Sequence, residues 1–192
     1  KYWMHNNMIT VNGKKMGKSY NNQITLTQMF SGDHPLLTKG FSPMVIRFFI
    51  LQTHYRSTLD FSSEALVAAE KGLKRLMEAF DALKKIPESQ GKDAADHELE
   101  EKINKLVDEF EVFINDDFNT AKVLANMFEI VPVINSIKDG LIKEDAISST
   151  TLQKLKEKFR FYLQDILGLK DPAENSAQFN GIIDLLIEIR ME

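Results

Sequence analysis

The chain has 192 residues, 43% hydrophobic and 27% charged, with a formal net charge of −4 and no cysteine. That length and apolar content suffice for one sizeable core or two small ones, and without cysteine there are neither disulfides nor thiol catalysis within it. No apolar run is long enough to span a bilayer and the amino end has no secretory pattern, so a soluble intracellular globular piece without a membrane partner is expected.

In chain order, Met8-Ile9-Thr10-Val11 is a short apolar run that ends at Asn12-Gly13, a dipeptide whose residues tolerate positive φ. Lys14, Lys15 and Lys18 are therefore expected on a tight, flexible loop rather than on an ordered element. Ser42-Pro43 predicts a helix start, with serine as cap and proline in the first turn, leading into Met44–Leu51. Leu66, Ala69, Leu73, Leu76, Phe80 and Leu83 follow steps of three and four, which place them on one stripe of a long helix. Leu99, Ile103, Leu106, Phe110 and Phe113 repeat the pattern, and so do Val123, Met127, Ile130, Ile134 and Ile137. A further stripe runs through Leu152, Leu155, Phe159 and Ile166 and stops at Gly168, and Ile182, Leu186 and Ile189 begin a last one. Five such stripes bury one another only as an antiparallel helical bundle.

The breaks fit that plan. Residues 87–96 collect proline, glycine and charge without an apolar period, and predict a mobile loop between two bundle helices. A weaker break at 142–150 precedes a helix capped by Ser149 or Thr150, and Pro132 predicts a kink inside its stripe.

Three polar strings admit more than one role. Asp116-Asp117-Phe118-Asn119-Thr120 is either a carboxylate pair for metal or acid–base work or, as favoured, a helix start that uses short polar residues as caps. In His54-Tyr55-Arg56, arginine and tyrosine either contact RNA, or the rings pack at a helix end while Arg56 pairs with an acid. Charge is unevenly placed: residues 1–60 carry seven Lys or Arg against Asp33 and Asp60, a net of +5, while the remainder carries −9. Local field rather than net charge governs contact with phosphates, although an acidic helical surface is also an ordinary solvated face.

Lys15-Met16-Gly17-Lys18-Ser19 resembles the KMSKS loop of class I aminoacyl-tRNA synthetases, with glycine in place of the first serine. Together with Trp3-Met4-His5-Asn6 before it, the string Phe48–Ser62 after it, Asp116–Thr120 and Leu185–Arg190, it resembles the carboxyl-terminal half of cysteinyl-tRNA synthetase over nearly the whole chain. The resemblance implies a mainly α fold: an antiparallel helical bundle of the class I anticodon-binding type, residues 63–192. A KMSKS-loop and stem-contact segment with a little β, residues 1–62, would precede it. It implies part of a cysteine–tRNA ligase that forms cysteinyl-adenylate from ATP, a fragment inactive by itself whose partners are ATP, the cysteine tRNA and the catalytic domain of the same parent chain, with no part for DNA. Lys18 would be catalytic and bind ATP, Lys15 would assist it, and Lys39, Arg47 and Arg56 would face tRNA. The family's HIGH sequence and its thiol-selecting zinc ligands have no counterpart: cysteine is absent, and His5, His34, His54 and His97 lie far apart without metal-ligand spacing. The alternatives are an ordinary solvated Lys18 and a non-catalytic helical RNA-binding or scaffold protein.

Overall fold

The computed structural model of the protein describes residues 1–87 and 95–170. The predicted loop at 87–96, for most of its length, and the predicted stripe at Ile182–Ile189 lie outside the described residues.

The chain begins with a small sheet. Strand β1 (Ile9–Val11) turns through Asn12 and Gly13, at φ of 50° and 75°, into β2 (Lys14–Lys15), with Thr10 opposite Lys15 and Val11 opposite Lys14. Two successive positive φ values give the turn a twist that matches its strands, which is why Asn-Gly suits it. On the other side of β1 runs β3 (Leu59–Phe61), parallel, with Ile9 opposite Leu59 and Val11 opposite Phe61. The lysines thus sit on ordered backbone, contrary to the flexible loop expected: Lys14 and Lys15 form β2, and Lys18 opens a single 3-10 turn to Tyr20.

Short helices follow. No apolar stripe announces α1 (Leu26–Ser31); its signal is a capping box, in which the Thr25 hydroxyl accepts from the Gln28 amide and the Gln28 side chain accepts from the Thr25 amide. Helix α2 (Pro43–Leu51) starts as predicted, with the Ser42 side chain accepting from the Val45 amide.

The bundle comprises α3 (Ser63–Lys85), α4 (His97–Asn115), α5 (Thr120–Lys138) and α6 (Ser149–Arg160). Capping sets each start: Ser62, Asp96, Asn119 and Ser148 all accept from a first-turn amide. The last is one residue earlier than Ser149, because the Ser148 backbone is still extended. Direction alternates along the chain. In space, α3 packs on α5 and α6, and α4 packs on the same two. The pairs Asn104 with Thr151, Asp108 with Lys154 and Glu111 with Lys158 rise together in number, so α4 and α6 run parallel. Phe80 stacks on Phe159 while Lys156 reaches the Ile86 carbonyl, so α3 and α6 run antiparallel.

All six members of the α3 stripe and all five of the α5 stripe are buried. Each large apolar side chain fully withdrawn from water contributes roughly 1.5–3 kcal/mol before entropy is counted. The α6 stripe fails at one position: Ile166 is 41% exposed. Phe161–Ile166 is π-helical, and its extra residue per turn rotates the following face, so that Tyr162, Leu163, Leu167 and Leu169 are buried instead. Gly168, at φ 64°, ends the run as expected. One buried apolar cluster joins the sheet, α2 and the bundle, from Val11 and Phe48 to Phe110 and Leu163. Among the described residues no helix is long and apolar enough to cross a membrane.

Candidate functional site

Lys15, Met16, Gly17, Lys18 and Ser19 leave the sheet together. Met16 extends the hairpin by donating its amide to the Ile9 carbonyl at 3.3 Å. Gly17 is extended, at φ −175° and ψ 152°, and an added Cβ would meet Tyr20 at an ordinary 3.4 Å. The backbone therefore does not require glycine here, and a serine fits the same conformation.

Two side chains hold this segment in shape, and the sequence assigned neither of them that role. Buried Asn22 accepts from the Gly17 amide at 2.9 Å and donates to the Lys15 carbonyl at 3.1 Å, bridging both sides of Met16. Asp60, on β3, accepts from the Thr10 hydroxyl at 2.6 Å and from the Gly13 amide at 2.8 Å, so it fixes the hairpin turn. Asn21, at φ 50°, closes the 3-10 turn by donating its amide to the Lys18 carbonyl.

Lys18 borders a groove of about 570 Å³ lined also by Asn21, Gln23, Gln28, His34 and Leu36. Its lining has one cation and no carboxylate. None of the ion pairs among the described residues engages Lys14, Lys15 or Lys18. Exposed ammonium groups beside neutral amides suit a polyanion such as a chain of phosphates.

The other predicted basic residues are spread out and engaged. Lys39 pairs with Glu70 and lies over the Phe41 ring, with 47% of its side chain exposed. Arg47 donates from Nε to the Leu167 carbonyl at 2.7 Å, capping the end of the π-helical turn, and its guanidinium occupies the space a Cβ at Gly168 would need. Arg56 binds Asp117, Nε to Oδ2 at 2.9 Å and Nη2 to Oδ1 at 3.2 Å. Tyr55 also donates to Asp117 Oδ1, at 2.6 Å, and receives from Arg56 Nε at 3.0 Å. The tyrosine hydroxyl, then the Asp117 charge, raise the Arg56 pKa above its ordinary value. His54 stacks on Tyr55 and faces the Asp117 carbonyl at 3.2 Å. The Asp116–Thr120 string is thus a helix start through Asn119 alone, and the Asp117 carboxylate serves Tyr55 and Arg56. Trp3 and His5 form an exposed aromatic pair, their centroids 5.7 Å apart, and Trp3 is 85% exposed.

No three His, Asp or Glu side chains gather into a metal-binding group among the described residues, and the chain has no cysteine.

Residues 1–71 match the family described as tRNA synthetases class I (C) catalytic domain, and residues 109–170 match the DALR domain. Over its full length the chain is 50% identical to a cysteine–tRNA ligase of Parabacteroides distasonis, 49% to that of Bacteroides fragilis and 47% to that of Bacteroides thetaiotaomicron. It spans 38% of the length of each. Two synthetase domains in succession, with near-50% identity from end to end, make the chain similar over its whole length to part of the cysteine–tRNA ligases.

Proposed function

We propose that the chain supplies the ATP-closing loop and the tRNA-binding helical region of a cytoplasmic cysteine–tRNA ligase, with residues 1–62 as loop and stem-contact segment and 63–192 as the anticodon-binding bundle. The observation that carries this reading is Lys18, without a carboxylate partner among the described residues, at the mouth of a polar groove on a hairpin braced by Asn22 and Asp60. In activation a carboxylate oxygen of cysteine bonds to the α-phosphorus of ATP, and the bond from that phosphorus to the bridging oxygen breaks. The electron pair leaves with pyrophosphate. An ammonium placed against the departing oxygens gives stabilisation that exists mainly in the transition state. Lys18 has that role, and Lys15, at the end of the strand before it, adds positive field to the same phosphates.

The cysteine tRNA meets the basic third of the chain, residues 1–60. Lys39 and Arg56 are exposed enough to receive a phosphate oxygen beside their carboxylate partners, since a surface ion pair is worth little and yields to a better ligand. Lys15 and Lys18 meet only the phosphates of ATP, and cysteine and the zinc that selects its thiol are held by other residues of the ligase, so the chain by itself is expected to exchange no pyrophosphate into ATP in the presence of cysteine.

The test is Lys18→Ala in an intact ligase carrying this segment. Single-turnover adenylate formation is expected to slow roughly a hundredfold, on the order of 3 kcal/mol of barrier, with cysteine affinity nearly unchanged. An unchanged activation rate would make Lys18 an ordinary surface lysine.

A further inference from the structure

We infer that Asp117 is a positioning residue for the lysine hairpin, acting from the α4–α5 turn of the bundle through Tyr55, Arg56 and Asn7. This rests on the proposed function only for what the hairpin does.

The first observation is strain. Asp117 and Phe118 both have positive φ, 60° and 55°, and neither is glycine. Such a conformation is unfavourable for residues with a Cβ and persists only where the surroundings hold it. The turn ends α4 as a left-handed cap, the Phe118 amide donating to the Ile114 carbonyl at 3.0 Å and the Asn119 amide to the Phe113 carbonyl at 2.9 Å, while the Asn119 side chain starts α5 by accepting from the Lys122 amide at 3.2 Å. The same turn aims the Asp117 carboxylate at the 54–56 loop, where Tyr55 and Arg56 converge on it and His54 meets its carbonyl.

The second observation is the opposite side of that loop. The Asn7 amide donates to the Tyr55 carbonyl at 2.9 Å, and Asn7 Nδ2 donates to the Arg56 carbonyl at 2.9 Å. Two residues after Asn7 the chain enters β1, whose partner β2 carries Lys15. The bundle thus grips the loop by its side chains, while the strand leading to the lysines grips the same two residues by their backbone. The path from Asp117 to the hairpin consists of two successive sets of hydrogen bonds. Fixing the loop fixes the entry to β1, and releasing it leaves the start of the strand with backbone partners that wander.

The experiment is amide hydrogen exchange on the 192-residue chain carrying Asp117→Gly. Glycine accepts a φ of 60° without strain, so the variant removes the carboxylate and keeps the turn. The Asn7 and Met16 amides are expected to exchange about tenfold faster, while Ile130–Ile134 in α5 keep their protection, because local opening and global unfolding report separately. Tyr55→Phe alone should give part of the same acceleration, and nothing further when added to Asp117→Gly. Acceleration confined to residues 115–120 would overturn the inference and leave Asp117 a local turn residue. Should Asp117→Gly also loosen α5, Tyr55→Phe, which leaves the turn untouched, decides: faster exchange at Asn7 supports the inference, and none ends it. No nucleotide enters this readout, so a failure of Lys18 to act in activation would leave it standing, and its own failure would leave the role of Lys18 intact.

Discussion

In the lysine hairpin, strands of three and two residues carry little core of their own: Val11 is buried, whereas Lys14 and Lys15 are exposed. Its shape rests on single polar contacts from elsewhere in the chain: Asp60 at the turn, Asn22 under the motif, Asn7 at the entry. In the bundle the balance is reversed. Helices of 23, 19, 19 and 12 residues pack by apolar stripes, which in α3 and α5 are buried at every position. A region held by apolar area loses stability in proportion to what is removed, and tolerates the loss of any one polar group. A region held by a few directional bonds can lose its geometry to a single substitution at almost no cost in global stability. The second kind suits the closure over a reacting phosphate proposed for the hairpin, and the first suits a frame that holds its shape.

The largest expected effect probes the frame. Phe110 is fully buried on α4, with its ring 5.3 Å from that of Tyr162. Phe110→Ala removes the ring and leaves a cavity, so the urea midpoint should fall by the equivalent of about 3–5 kcal/mol. Truncating Trp3, an exposed side chain at the amino end, should leave that midpoint almost where it was. Equal losses at the two sites would abolish the contrast between the regions.

Period makes the frame legible in the sequence. The α3 and α5 stripes can be read residue by residue because a repeat of three and four needs no knowledge of partners. The phase slips at Ile166 because a π-helical turn has no apolar signature of its own. Ser42-Pro43 and Asn12-Gly13 are legible for a related reason: caps and tight turns are local chemistry. The bracing of the hairpin is not. Asp60 meets Gly13 across 47 positions, and Asp117 meets Tyr55 across 62, and no pattern within either string announces its partner. Lys15 and Lys18 can be picked out as a motif, but that they stand on an ordered strand and turn cannot, because the residues that order them lie outside it. The pairing of α4 with α6 in parallel is equally hidden, being set by packing rather than by loop length.

A smaller effect tests the rim of the frame. Glu100 accepts from the Ser148 and Thr151 hydroxyls and from the Ser148 amide, tying α4 to the start of α6. These bonds, that of Ser148 first, hold its carboxyl below the ordinary glutamate pKa. A group depressed on folding stabilises the protein fully above its unfolded pKa, and that contribution is lost as pH falls through the folded value. Glu100→Gln keeps an acceptor and should cost about 1 kcal/mol at neutral pH. The gap between wild type and variant should narrow on the acid side, between the ordinary glutamate pKa and the lower folded one, when urea midpoints are compared across pH. A gap constant with pH would mean that the carboxylate charge contributes nothing to this joint.

The smallest expected effect concerns RNA, and it asks whether the two regions also differ in what they touch. Reversing Lys39, Arg47 and Arg56 would confuse RNA binding with folding, since each already holds a partner within the chain. Lys14, Lys15 and Lys18 form no ion pair among the described residues, and neither do Lys71, Lys102 and Lys105 on the bundle. Replacing either set by glutamate changes net charge equally, so a difference in tRNA affinity reports placement and not overall repulsion. The hairpin set should weaken binding and flatten its dependence on salt, by up to about 0.9 in logarithmic slope for each phosphate left without its cation. The bundle set should change neither by a measurable amount. Filter-binding titrations over a range of salt separate these outcomes, because an unneutralised phosphate lowers the slope whereas a perturbed fold lowers affinity at every salt. Equal slopes for the two variants would make the positive charge of residues 1–60 incidental to RNA, and would place the tRNA surface on the helices.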